Sequence, residues 1–149
     1  MRRALVVVCA LILNASLLER ACAAQVCAWI VESVEDDGAH MFRLNLSVDA
    51  RRSVAVRFQG PGFTSASMGG VMIPLDPGEP KEVDGEGFDV SAGDDLHFDV
   101  QLFDHPLATL DEMRDPTGKP LAAFAFHPKA GQDEHASPDG LAKQCKPLG

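Results

Sequence analysis

Three segments of this chain alternate apolar and polar residues with a period of two, and a β-strand is the regular structure whose side chains repeat that way. Phe42, Leu44, Leu46 and Val48 alternate with Arg43, Asn45, Ser47 and Asp49. Val54, Val56 and Phe58 alternate with Ser53, Arg57 and Gln59, and Leu96, Phe98, Val100 and Leu102 with His97, Asp99 and Gln101. Each predicts a strand with one face in a core and the other in water. Weaker strand patterns run over Val26–Val34, Val71–Leu75, Phe88–Ser91 and Leu121–His127.

Turn chemistry separates these runs. Glu35-Asp36-Asp37-Gly38 predicts a hairpin between the first two strands, and Asp49-Ala50-Arg51-Arg52 another between the second and third. Gly60-Pro61-Gly62, Gly69-Gly70, Asp76-Pro77-Gly78 and Gly93-Asp94 are further turn signals. Helical patterning is confined to short stretches. Pro106 suits a first helical position, with Leu107, Leu110 and Met113 on one side, and Pro116-Thr117-Gly118 ends the stretch. Asp139 suits the cap of a turn running into Cys145, and residues 128–140 read as loop. Short strands with a turn every eight to twelve residues predict an all-β fold. The expectation is a single antiparallel β-sandwich, immunoglobulin-like, with one or two short helices in its connections.

The chain opens with the pattern of an export signal. Arg2-Arg3 precede an uncharged run from Ala4 to Leu13, and Ala21-Cys22-Ala23-Ala24 supply small residues for cleavage. Residues 1–24 are expected to be a signal peptide and 25–149 the folded domain, periplasmic or secreted. The apolar run is shorter than the roughly 20 residues that span a bilayer, so no stable membrane insertion is expected after cleavage. Cys9 and Cys22 leave with the leader. Cys27 and Cys145 remain near the two ends and, in an oxidising compartment, are expected to form a disulfide.

The leader also takes Arg2, Arg3, Arg20 and Glu19. The 13 basic and 22 acidic residues of the whole chain thus become 10 and 21, and the net charge goes from −9 to −11. An acidic surface repels phosphate backbones, so nucleic acid is not an expected partner, whereas a basic protein is.

Four groups of residues qualify as sites. His97, Asp99 and Gln101 share one strand face, where a His beside a carboxylate serves acid–base chemistry or metal binding; a solvated polar face explains them equally. The acidic run Asp76, Glu79, Glu82, Asp84, Glu86, Asp89, Asp94 and Asp95 suits calcium or a basic protein surface, although Phe88 and Asp89 break the EF-hand pattern. His40, Met41, Met68, Met72, His97, His105, Met113, His127 and His135 are soft ligands without a tight motif. Phe63, beside the Gly60-Pro61-Gly62 turn, either presents its ring to a partner or plugs the end of the sandwich. Asn45-Leu46-Ser47 is a glycosylation sequon.

The functional expectation is a small exported binding protein, non-catalytic and without cofactor or resident metal. It would engage a basic protein partner in the manner of an inhibitor or immunity protein, with Phe63, Asp84, Glu86 and Asp89 as contact residues. Two other classes stand beside it: an envelope protein binding copper or calcium, and an enzyme built on His97 and Asp99.

Overall fold

The computed structural model describes residues 24–66, 71–85, 90–131 and 143–149. The expected signal segment up to residue 23 lies outside the described residues, as do Glu86, Asp89, Met68 and His135. The described chain forms two antiparallel sheets stacked as a sandwich, with one short helix.

The first sheet has four strands. β1 (Gln25–Val34) and β2 (His40–Val48) form a hairpin across the Glu35–Ala39 turn. β6 (Lys81–Gly85) pairs with β2, and β9 (Gln144–Pro147) with β1, giving the order β6-β2-β1-β9. The second sheet has five strands, built on β3 (Arg52–Gly60), β7 (Phe98–Phe103) and β8 (Ala122–Phe126). β4 (Phe63–Ala66) and β5 (Ile73–Leu75) share the free side of β3, with β5 against Arg52–Val54 and β4 against Arg57–Gly60.

The alternation predicted from sequence sets which residues face inward. Val26, Ala28 and Ile30 of β1 and Phe42, Leu44, Leu46 and Val48 of β2 meet Val54, Val56 and Phe58 of β3 and Phe98, Val100 and Leu102 of β7. All are buried, and fully burying a Val, Leu, Ile or Phe side chain contributes about 1.5–3 kcal/mol. Trp29, in the opposite phase, lies on the outer face of the first sheet, with the Lys143 ammonium 4.7 Å from its ring centre. Cys27 and Cys145 occupy directly paired positions on β1 and β9, and their disulfide joins strands 118 residues apart in sequence.

Several local expectations are corrected. Asp49–Arg52 does not close a hairpin: β2 and β3 belong to different sheets, and the segment carries the chain across the sandwich. The chain runs as strand to Gly60 and again over Phe63–Ala66, with Pro61-Gly62 as a two-residue turn in which Gly62 takes φ 76°. Pro followed by a left-handed Gly is the composition of a type II turn. Part of the acidic run, Lys81–Gly85, forms an edge strand that periodicity does not mark. Val90 and Ser91 are not strand.

Cys145 lies in β9, and Asp139 with the turn expected there lies outside the described residues. On β9, Gln144 donates to the Ala125 carbonyl at 2.7 Å and the Lys146 ammonium to the Ala123 carbonyl, so side chains tie the edges of the two sheets together.

The helix α1 (Leu110–Arg114) begins later than Pro106 predicts. Thr109 caps it: its hydroxyl accepts from the Glu112 N–H at 3.1 Å, and the Glu112 carboxylate accepts from the Thr109 and Ala108 N–H groups. Those donors hold the Glu112 carboxyl below its usual range. The segment lies on the outer face of the second sheet, where Leu107 packs with Ala55 and Phe103 beside Met72 and Met113. Arg57, projecting from β3, donates to the Met113 and Arg114 carbonyls at 2.8 and 3.1 Å. A guanidinium there satisfies carbonyls that a helix C-terminus leaves without intrahelical donors.

Candidate functional site

The sandwich is chemically uneven from end to end. One end gathers the Glu35–Ala39 turn, the last residues of β6, and a clasp between residues 91–95 and 129–131. The register shows this: Val34 faces His40 at the turn, and Phe42 faces Gly85. In the clasp, the Gly93 N–H donates to the Ala130 carbonyl at 2.7 Å and the Ala130 N–H to the Asp94 carbonyl at 2.9 Å.

Glu35, Asp36, Asp37, Asp84, Asp94 and Asp95 are all exposed at this end. Asp37 and Asp94 each accept one backbone N–H within their own turns, from Ala39 and Ser91. Lys129 stands 3.5 Å from Asp95, and Arg43 divides itself between Asp84 at 3.4 Å and Glu82 at 3.5 Å. The carboxylates therefore outnumber the cations beside them. Asp84 belongs to this rim, whereas Asp76, paired with Arg51 at 2.5 Å, lies on the β5–β6 connection.

Beneath the rim lies an aromatic floor. Phe58, Phe63 and Phe98 pack together, with Phe58 and Phe63 edge to face at 5.2 Å and Phe42 4.9 Å from Phe98. Phe63 is 9% exposed, and of the two placements open to its ring the structure shows the packed one, in which it plugs the end of the sandwich. Gly85 permits this closure, since a Cβ there would stand 2.6 Å from Phe58 and 3.0 Å from the Phe63 ring.

At the same end, Glu32 and His40 point inward and are only 5% and 9% exposed. His40 Nδ1 lies 2.5 Å from Glu32 Oε1, and the Gly131 N–H donates to both carboxylate oxygens at 3.1 and 3.0 Å. In sequence His40 is one of a scattered set of soft ligands. Its contacts instead make it part of a buried latch between the β1–β2 hairpin and the Gly131 turn.

The His97 constellation assembles differently from the expected triplet. His97 Nε2 lies 2.9 Å from Asp99 Oδ2, as same-face spacing predicts. Gln101 turns away and accepts from Arg57 at 3.2 Å. Its place is taken by His127, whose Nδ1 is 3.0 Å from His97 Nδ1. Antiparallel pairing of Phe98 with Phe126 brings the two flanking histidines together. His105 is elsewhere, against Phe103 and 2.9 Å from Asp104, whose carboxyl that hydrogen bond holds below its usual range. Among the described residues, no three His, Cys, Asp or Glu side chains converge as ligands of one metal ion. Asn45 of the sequon lies mid-strand on β2, between Trp29 and Glu82.

Comparison with family models, characterised proteins and solved structures finds no match to this chain.

Proposed function

We propose that this is an exported, non-catalytic binding domain whose acidic end engages a basic surface on a partner protein, as an inhibitor or immunity protein would. The observation that carries the proposal is the collection of six exposed carboxylates, from three separate stretches of chain, around one end of the sandwich. Clustered like charge steers association with an opposite surface and sets which partners are repelled. Turns on a rigid two-sheet frame are also where binding residues concentrate. Glu86 and Asp89 lie two and five residues past Asp84 in sequence and extend the same acidic segment.

Export is supported by the leader pattern and by the Cys27–Cys145 disulfide, which an oxidising compartment favours. Among the described residues no helix is long and apolar enough to cross a membrane. The strand orders support an immunoglobulin-like plan, with β1-β2-β6 facing β4-β3-β7-β8 and crossings at β2–β3, β5–β6 and β6–β7. β9, beside β1, adds to that plan.

The test is partner capture from the native envelope, followed by titration of the isolated pair with salt and with charge-reversed protein. Affinity should fall with ionic strength, and Asp84→Lys with Asp94→Lys should weaken binding at least tenfold. Binding that survives high salt and both reversals would overturn the proposal.

A further inference from the structure

We infer that His97 and His127 form a surface site for a divalent transition-metal ion of the copper(II) type, with Asp99 orienting His97 from its far side. Three features of the geometry carry this. First, the two Nδ1 atoms are 3.0 Å apart. An ion about 2.0–2.1 Å from each of two imidazole nitrogens places them roughly 2.9 Å apart when its bonds are at right angles, and roughly 3.3 Å apart when tetrahedral. The observed spacing matches adjacent corners of a square, the tetragonal preference of copper(II) and nickel(II), better than the tetrahedron zinc prefers.

Second, the rings stand at an angle. Their centres are 4.5 Å apart and their planes are tilted by 47°. Two imidazoles meeting head to head through Nδ1 at this spacing would have centres roughly 5.2 Å apart, so the rings fold toward a shared corner. Third, Asp99 selects the tautomer. Its carboxylate, 2.9 Å from His97 Nε2, accepts a hydrogen bond and so keeps the proton there. That leaves the His97 Nδ1 lone pair directed toward His127. A ligating histidine whose other nitrogen donates to a carboxylate is the usual outer-shell arrangement of metal sites. Without metal, the His127 Nδ1–H donates to the same lone pair.

Asp99 cannot also ligate from this position, because it holds the opposite nitrogen of the ring. The site therefore offers two protein ligands and leaves the remaining positions to water. His97 is 55% exposed, so an ion reaches it directly. Asp94 and Asp95, at the neighbouring acidic end, raise the local concentration of cations. Calcium is excluded by the donors, since a hard ion wants six to eight oxygens.

The experiment uses untagged protein freed of metal with a chelator and titrated with copper(II) alone, then with zinc(II) alone. Competition against a chromophoric chelator and electron paramagnetic resonance provide the readouts. One copper(II) should bind per chain at micromolar concentration or below, more tightly than zinc, with hyperfine structure from two nitrogens. His97→Ala and His127→Ala should each weaken binding at least tenfold, and Asp99→Asn should weaken it about 10–100-fold. His105→Ala should leave it unchanged. Circular dichroism of each variant should match the parent, which separates lost ligands from lost fold. Binding only at millimolar copper, or tight binding that survives the double His97→Ala/His127→Ala variant, would overturn the site. Either failure leaves the charge-driven partner proposal standing, because that proposal uses neither histidine.

Discussion

Replacing both Cys27 and Cys145 with Ala should destabilise the domain by an amount that loop length alone largely sets. The bridge spans 118 residues, and closing a loop of that length in the unfolded chain costs about 4.9 kcal/mol in the chain-entropy model. Little packing is lost with the sulfurs. Cys27 is half-buried and Cys145 exposed, both in the phase opposite the core residues Val26 and Ala28. The substitution therefore acts mainly through the unfolded state. A second, local effect adds to it. β9 is four mostly exposed residues long, and without the bridge its hold on β1 rests on a short ladder, the Gln144 and Lys146 contacts to β8, and buried Leu148. Urea unfolding followed by tryptophan fluorescence reads both, because Trp29 is the only tryptophan and lies on β1 two residues from Cys27. With a urea dependence of about 2 kcal/mol per molar, the midpoint should fall by roughly 2 M. Hydrogen exchange should show β9 amides losing protection before those of β2 and β3. A midpoint shift under roughly 0.5 M, at unchanged slope, would refute the reasoning and mean that the denatured chain holds its ends together without the bridge.

Three further outcomes follow from the same geometry. Gly85→Ala should cost about 1–3 kcal/mol in thermal or urea unfolding, because the added methyl enters the Phe58–Phe63 contact and the Phe42 carbonyl stands 2.9 Å away. Glu32→Ala leaves the His40 and Gly131 N–H groups without their acceptor, at about 1–3 kcal/mol for each donor that stays unsatisfied, and hydrogen exchange at Gly131 should accelerate. The Glu112 carboxyl is depressed below its ordinary value of 4.5 by the Thr109 and Ala108 N–H groups. Its contribution to α1 is therefore fully present above that value and is lost as pH falls through the lower, folded one. Amide exchange at Thr109 and Glu112, corrected for intrinsic pH dependence, should show this loss in the parent, and Glu112→Gln should flatten it.

What the sequence made legible follows from where each strand sits. β2, β3 and β7 have strand neighbours on both sides and bury one whole face, so four, three and three inward residues respectively imprint the alternation. β4, β6 and β9 lie at sheet edges and have few inward positions. β6 contributes only Val83 and Gly85 beside Lys81, and β9 points Gln144 and Lys146 inward to carbonyls instead of into a core. Periodicity does not register such strands. The Thr109-Leu110-Asp111-Glu112 sequence did carry the start of α1 as a capping box, a better marker than Pro106.

The same logic explains why the sites stayed hidden. Every member of the acidic end and of the histidine pair is visible in the sequence, but the stretches that carry them lie far apart in the chain. Glu32 meets Gly131 across 99 residues, and His97 meets His127 across 30. Pairing register supplies the missing distance. Once Phe98 is set opposite Phe126, the His-Phe and Phe-His steps of the two strands place both imidazoles side by side, since side chains at paired positions leave the same face. Asp99 then falls on that face by its spacing of two from His97. A one-residue slip of β8 against β7 would turn His127 to the core face and Phe126 to water. Burial of Phe126 therefore forbids the slip, and the hydrophobic core itself holds the two histidines together on the surface.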